Sequence, residues 1–166
     1  MSQQAAPLDV KYDLTLRLWS DSVPLEPVAL ALGIPVHLLY VKGHKRGGSD
    51  KRFSERIADC HYVSTTAVKV PTEHEMEAWL ASTISRAEQT ASLRQPGIEI
   101  VFWIALFARE PKAAPVPDPA LVARAAALSA RILIENYSDP TDQPEGAGFP
   151  PKAWYPALVQ AAGSPA

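Results

Sequence analysis

Ile98-Glu99-Ile100-Val101-Phe102-Trp103-Ile104-Ala105-Leu106-Phe107 runs between Pro96-Gly97 and Arg109-Glu110-Pro111. A ten-residue run rich in β-branched and aromatic side chains and bounded by breakers defines a strand. Its even positions are all apolar and its odd positions mostly so, whereas a half-exposed strand would alternate with polar residues. It is therefore read as the central strand, with both faces in need of cover.

On its N-terminal side, Thr72-Glu73-His74-Glu75 has the form of a capping box. Met76, Trp79, Leu80, Ile84, Ala87 and Ala91 then recur at helical spacing up to about Gln95. Such a helix would be roughly 35 Å long, a match for the roughly 33 Å of a ten-residue strand. On the C-terminal side, the connection containing Pro111, Pro115 and Pro117 leads to Asp118-Pro119, an N-cap followed by a first-turn proline. The stripe Leu121, Val122, Ala125 and Leu128 marks that helix, and Arg131 to Tyr137 alternates as a last strand.

Further upstream, Tyr12 to Trp19 sets Leu14, Leu16 and Leu18 against Asp13, Thr15, Arg17 and Trp19, a strand with one buried face. Pro24 to Leu32 reads as a short helix stopped by Gly33. His37 to Val41 is a second strand and about Cys60 to Val68 a third, an expected antiparallel pair across an exposed, mobile loop. The order β-α-β-β-α-β-α-β is that of the ferredoxin-like split β-α-β plait, an α+β fold, with one α-β unit appended. Right-handed crossovers put the helices on one face of the sheet. Arg17, Trp19, Val101, Trp103 and Phe107 would then project from the other, to be covered by the tail, a second copy of the chain in a homodimer, or a partner protein.

The 166 residues fit one domain at 12–139, with a leader at 1–11 and a tail at 140–166 rich in Pro, Gly and Ala. That composition points to a disordered tail, although Phe149, Trp154, Tyr155, Leu158 and Val159 offer groups that could pack on the open sheet face. A formal charge of −2 gives no bulk attraction to nucleic acid or to anionic membrane. With no secretory leader pattern and no apolar run of about 20 residues, a cytoplasmic location without membrane contact is expected.

Motifs for chemistry are scarce. Gly43 and Gly48 have P-loop spacing, but Ser49-Asp50 follows where the phosphate-binding Lys-Ser/Thr would stand. His37, His44, His61 and His74 share no metal-ligand spacing with one another or with Cys60, the single cysteine, which is expected as a small buried apolar residue. Glu73, Glu75 and Glu77 read as first-turn acids of a helix, not as an acid–base pair. No catalytic residue, metal or cofactor is expected.

The sharpest electrostatic feature is the loop 42–56. Lys42, Lys45, Arg46, Lys51, Arg52 and Arg56 against Asp50 and Glu55 leave a local charge of +4, while the remainder carries about −6. The loop is either a solvated hairpin or a contact for an acidic partner or phosphates. Nucleic acid is the weaker option because the aromatic strand signature of RNA-binding sheets is absent. The expected partner-binding set is these six cations with Arg17, Trp19 and Trp103.

The segment order, together with Pro27-Val28-Ala29-Leu30-Ala31-Leu32-Gly33-Ile34-Pro35, the glycine- and charge-rich loop and the closing helix-strand near Tyr137, resembles the bacterial family called domain of unknown function 4279. Members commonly carry a tryptophan early in the third strand, where this chain has Tyr62. Some members are suspected immunity proteins that bind and neutralise a toxin. The resemblance therefore implies a non-enzymatic protein-binding module with a cognate toxin as partner. A nucleic-acid or phosphorylated-ligand binder, or an enzyme assembled from distant residues, are the alternatives.

Overall fold

The computed structural model describes residues 10–48, 51–108 and 112–137. The tail 140–166, with Phe149, Trp154 and Tyr155, lies outside the described residues, as does the leader up to residue 9. The first strand, β1 (Val10–Ser20), takes in two residues assigned to the leader because Val10 and Lys11 pair with Ala108 and Phe107.

The chain continues through α1 (Glu26–Leu32), β2 (Val36–Tyr40), a single turn α2 (Lys51–Ser54), β3 (His61–Thr65), β4 (Val68–Val70), α3 (Glu73–Gln89), β5 (Glu99–Ala108), α4 (Pro119–Ala127) and β6 (Ala130–Tyr137). It is a mixed α+β fold with one six-stranded, mostly antiparallel sheet. The strand order is β2-β3-β1-β5-β6, with β4 also on β1; only β5 and β6 run parallel. The quoted stretch lies inside the sheet, between β1 and β6, with its even positions Ile100, Phe102, Ile104 and Leu106 in the core.

One face carries the core. Leu14, Leu16 and Leu18 of β1, Ile100, Phe102 and Ile104 of β5, and Ile132 and Ile134 of β6 cluster with Val28 and Leu32 of α1, Leu80 and Ile84 of α3, and Leu121 and Ala125 of α4. Fully burying a leucine- or phenylalanine-sized side chain contributes about 1.5–3 kcal/mol, so this shared layer fixes where the helices lie. Among the described residues, no helix is long and apolar enough to cross a membrane.

Several expectations need correction. The third strand is two strands, because the β1 residues Thr15 and Leu16 stand opposite three, Thr65 to Ala67, between the β3 and β4 registers. The extra residue makes a bulge that shifts the side-chain phase. Thr65 Oγ1 accepts a hydrogen bond from Leu16 N at 2.9 Å at the break. The long helix is seventeen residues, not about twenty-three: Thr90 turns extended, its hydroxyl donating to Arg86 O at 2.8 Å, and a 3-10 turn at Ala91–Arg94 follows. At its other end only half of the capping box forms, since Thr72 Oγ1 accepts from Glu75 N and donates to the Glu75 carboxylate.

The described parts of the glycine-rich loop extend the β2–β3 hairpin. Tyr40 faces Tyr62, and the same register continues to a bridge between Lys45 and Ile57 and to Arg46 N donating to Arg56 O at 3.0 Å. Gly43 and Gly47, at φ of +83° and +73°, allow the turns that keep this irregular ladder in register.

Candidate functional site

The residues that alternate with the core positions of β1, β5 and β6 stand on the helix-free face. Trp19, Arg17 and Thr15 of β1 stand opposite Glu99, Val101 and Trp103 of β5, and Val101 and Trp103 stand beside Arg131 and Leu133 of β6. Sequence parity placed Arg17, Trp19, Val101, Trp103 and Phe107 here, and the register agrees. Val101 and Leu133 are only 4% and 8% exposed, so they form an apolar floor, and the partly exposed Trp19 and Trp103 rise beside it.

Rings and cations interlock across this face. The Arg17 guanidinium lies 3.6 Å from the Trp103 ring centroid. Trp19 meets Tyr62 at 5.2 Å between centroids, Tyr62 meets Tyr40 at 5.4 Å, and the Arg46 guanidinium lies 5.4 Å above Tyr40. At the other end of β5, Phe107 stacks on Tyr137 at 4.9 Å, with the Lys11 amine 5.3 Å from Phe107.

Two hollows flank Trp19. The larger, about 600 Å³, has Val101 and Leu133 as its floor, Trp19 and Trp103 as walls, and Asp21, Glu99 and Arg131 among its polar groups. The smaller, about 290 Å³, is bounded by Trp19, Tyr40, Tyr62, Arg46 and Asp59. Arg131 and Glu99 form a direct ion pair in the larger hollow. Cys60 borders both and is partly exposed, which corrects the expectation of a buried residue; it precedes β3 instead of lying within it. Burial, and after it the carboxylate of Asp59, raise its pKa, so at neutral pH Cys60 is a thiol and a poor nucleophile.

Three of the six loop cations face acids. Lys42 lies 3.7 Å from Asp21, Lys45 bonds Glu55 at 2.6 Å, and Arg46 lies 3.7 Å from Asp59. Asp21 and Asp59 come from outside the loop, so a count of charge within it overstated its field. Arg46 turns onto the aromatic face, while Arg52 and Arg56 are exposed in the loop; of Lys51 only the backbone, in α2, is described. His61 Nδ1 accepts from Lys42 N at 3.2 Å, which ties the hairpin base together. Among the described residues, no three His, Cys, Asp or Glu side chains gather in a way that could hold a metal ion.

Sequence reasoning missed Tyr40, Asp59, Glu99 and Arg131 as members of this face. For Tyr40 the missing signal was hairpin register: once Tyr40 faces Tyr62, residues at even offsets, Arg46 included, share their side of the ladder; for Arg131 it was the parallel pairing of β6 with β5, while Glu99 shares the odd parity of Val101 and Trp103. Comparison with protein-family models, with curated proteins and with solved structures gives no match for this chain.

Proposed function

We propose that this chain is a non-enzymatic protein-binding module that neutralises a bacterial toxin by direct contact through the helix-free face of its sheet. The observation that carries the binding reading is the ladder Arg46–Tyr40–Tyr62–Trp19, with Arg17 on Trp103 beside it. Tryptophan, tyrosine and arginine are the residue types that most often dominate binding energy at interfaces, and here neighbouring rings and strand backbone pre-order them. The pairing of Lys42, Lys45 and Arg46 with acids weakens the rival reading of a phosphate- or nucleic-acid-binding loop. The toxin as partner rests on the resemblance to the domain of unknown function 4279 family. In the same spirit, we read β1, β2, β3 with β4, and β5 as the ferredoxin-like plait and α4–β6 as the appended unit.

Co-expression with the product of the adjacent gene tests this. The expected result is rescue of growth and a stable complex that Trp19→Ala or Trp103→Ala weakens. Loss of both rescue and complex removes the toxin reading, and a complex indifferent to both tryptophans removes the sheet face.

A further inference from the structure

The larger hollow has a feature beyond the aromatic ladder. Its polar end is an ion pair, Glu99 with Arg131, whose side chains are 50% and 38% exposed and so retain acceptor and donor capacity. The opposite character lies beside it, in the floor of Val101 and Leu133 and the indoles of Trp19 and Trp103. The remaining charge in the lining, Asp21, is held near Lys42. Ser20 Oγ is occupied by the amides of Ser22 and Val23, at 3.3 and 2.9 Å, which braces the turn forming the rim.

We propose that this hollow is a binding site for a free amino acid with an apolar side chain, taken as its zwitterion. A ligand carrying one charge would satisfy only one member of the Glu99–Arg131 pair and compete with the other for it. A zwitterion satisfies both at once: its carboxylate meets the Arg131 guanidinium and its ammonium meets Glu99. The side chain is then left to the indoles and the apolar floor. A volume of about 600 Å³ lies within the range of small-molecule sites, which are mostly apolar with a few placed polar groups. The inference goes beyond the protein-binding reading and does not depend on it.

The test is a titration of the full chain with L-phenylalanine, following the indole N–H NMR signals of Trp19 and Trp103 assigned through their Trp→Phe variants. The expected result is a saturable shift of both signals, with N-acetyl-L-phenylalanine and 2-phenylethylamine, each carrying one charge, binding at least tenfold more weakly. Glu99→Gln should weaken L-phenylalanine at least tenfold while the amide spectrum remains that of the folded chain. Absence of a saturable shift with both L-phenylalanine and L-leucine overturns the proposal, and so does equal binding of the single-charge analogues. Should Glu99→Gln fail to fold, the ligand series on the unaltered chain decides alone.

Discussion

The guanidinium of Arg17 sits 3.6 Å from the centroid of the Trp103 ring, although the two residues belong to different strands. The cause is register: Arg17 stands opposite Val101 and Thr15 opposite Trp103, so Arg17 and Trp103 are diagonal neighbours on one face. Arg17 Nε also donates to Thr15 Oγ1 at 3.3 Å, which directs the side chain along β1 toward the ring.

A cation–aromatic contact at a partly exposed site contributes about 0.5–1 kcal/mol. Arg17→Ala should lower unfolding stability by about that amount, and Arg17→Lys by less, because the ammonium keeps the charge but loses the planar stack. Urea unfolding followed by far-ultraviolet circular dichroism measures both. Equal stability of Arg17→Ala and the unaltered chain would show the contact to be energetically idle.

The turn after α1 gives a second test. Gly33 has a φ of +64°, and its amide reaches Ala29 O and Leu30 O, closing the helix in the left-handed conformation that glycine adopts without strain. Arg86 Nη1, from α3, donates to Leu32 O at 3.2 Å and Gly33 O at 3.1 Å, and a Cβ at Gly33 would stand 3.3 Å from it. Gly33→Ala should therefore cost about 1 kcal/mol or somewhat more, read as a lowered urea midpoint at unchanged slope.

The turn after α4 offers the reverse case. Ser129, between α4 and β6, holds a φ of +54°, a conformation that costs a side-chain-bearing residue about 1 kcal/mol or more. Ser129→Gly removes that cost and adds unfolded-state entropy, so a net gain of a few tenths to about 1 kcal/mol is expected. Thermal melts compared at one pH measure it. A fall in melting temperature would mean that the serine side chain contributes more than its backbone strain costs.

The pH dependence of the α3–α4 contact follows from Glu88. Its pKa lies below the ordinary carboxylate value, first because Arg124 bonds it directly and then through the fields of Arg124 and Arg94. A group whose folded pKa is depressed supports the fold above its unfolded pKa and loses that support as pH falls through the folded value. The Tm advantage of the unaltered chain over Glu88→Gln should thus be present at pH 7 and shrink below about 4.5, the ordinary value from which the shift is measured. A difference constant from pH 7 to pH 3 would show that the Arg124 contact does not depend on the charge of Glu88.

What was readable in the sequence was whatever periodicity and local punctuation encode. The central strand, the leucine face of β1, Gly33 as a helix stop and Asp118 as an N-cap are local signals, and the structure has each, with Asp118 Oδ1 accepting from Ala120 N at 2.8 Å. The bulge between β3 and β4 and the break of α3 at Thr90 were not readable, because each is set by a side chain that bonds backbone in place of a regular ladder. The site was half legible. Parity along β1 and β5 gave Trp19, Arg17 and Trp103, but Arg46 and Arg131 join them only through hairpin register and a parallel neighbour, both non-local.

Trp19 is the aromatic wall that both hollows share, beside Cys60, with Tyr62 against it at 5.2 Å and Glu99 opposite it in the β1–β5 register. Its removal should therefore affect recognition more than folding. Trp19→Ala would merge the two hollows and leave Tyr62 without its ring partner, while the core leucines of β1 stay in place on the other face. A central aromatic anchor costs about 2 kcal/mol or more of binding energy when truncated, roughly a thirtyfold loss of affinity. Calorimetric titration against the partner recovered by co-expression should show a loss of that order for Trp19→Ala and a smaller one for Trp19→Phe, which keeps a ring beside Tyr62. Trp79→Ala on α3, which packs at the core edge on the opposite side of the sheet, serves as the control. If Trp79→Ala weakens binding as much as Trp19→Ala does, recognition lies on the helical side, and the helix-free face is not the surface the partner reads.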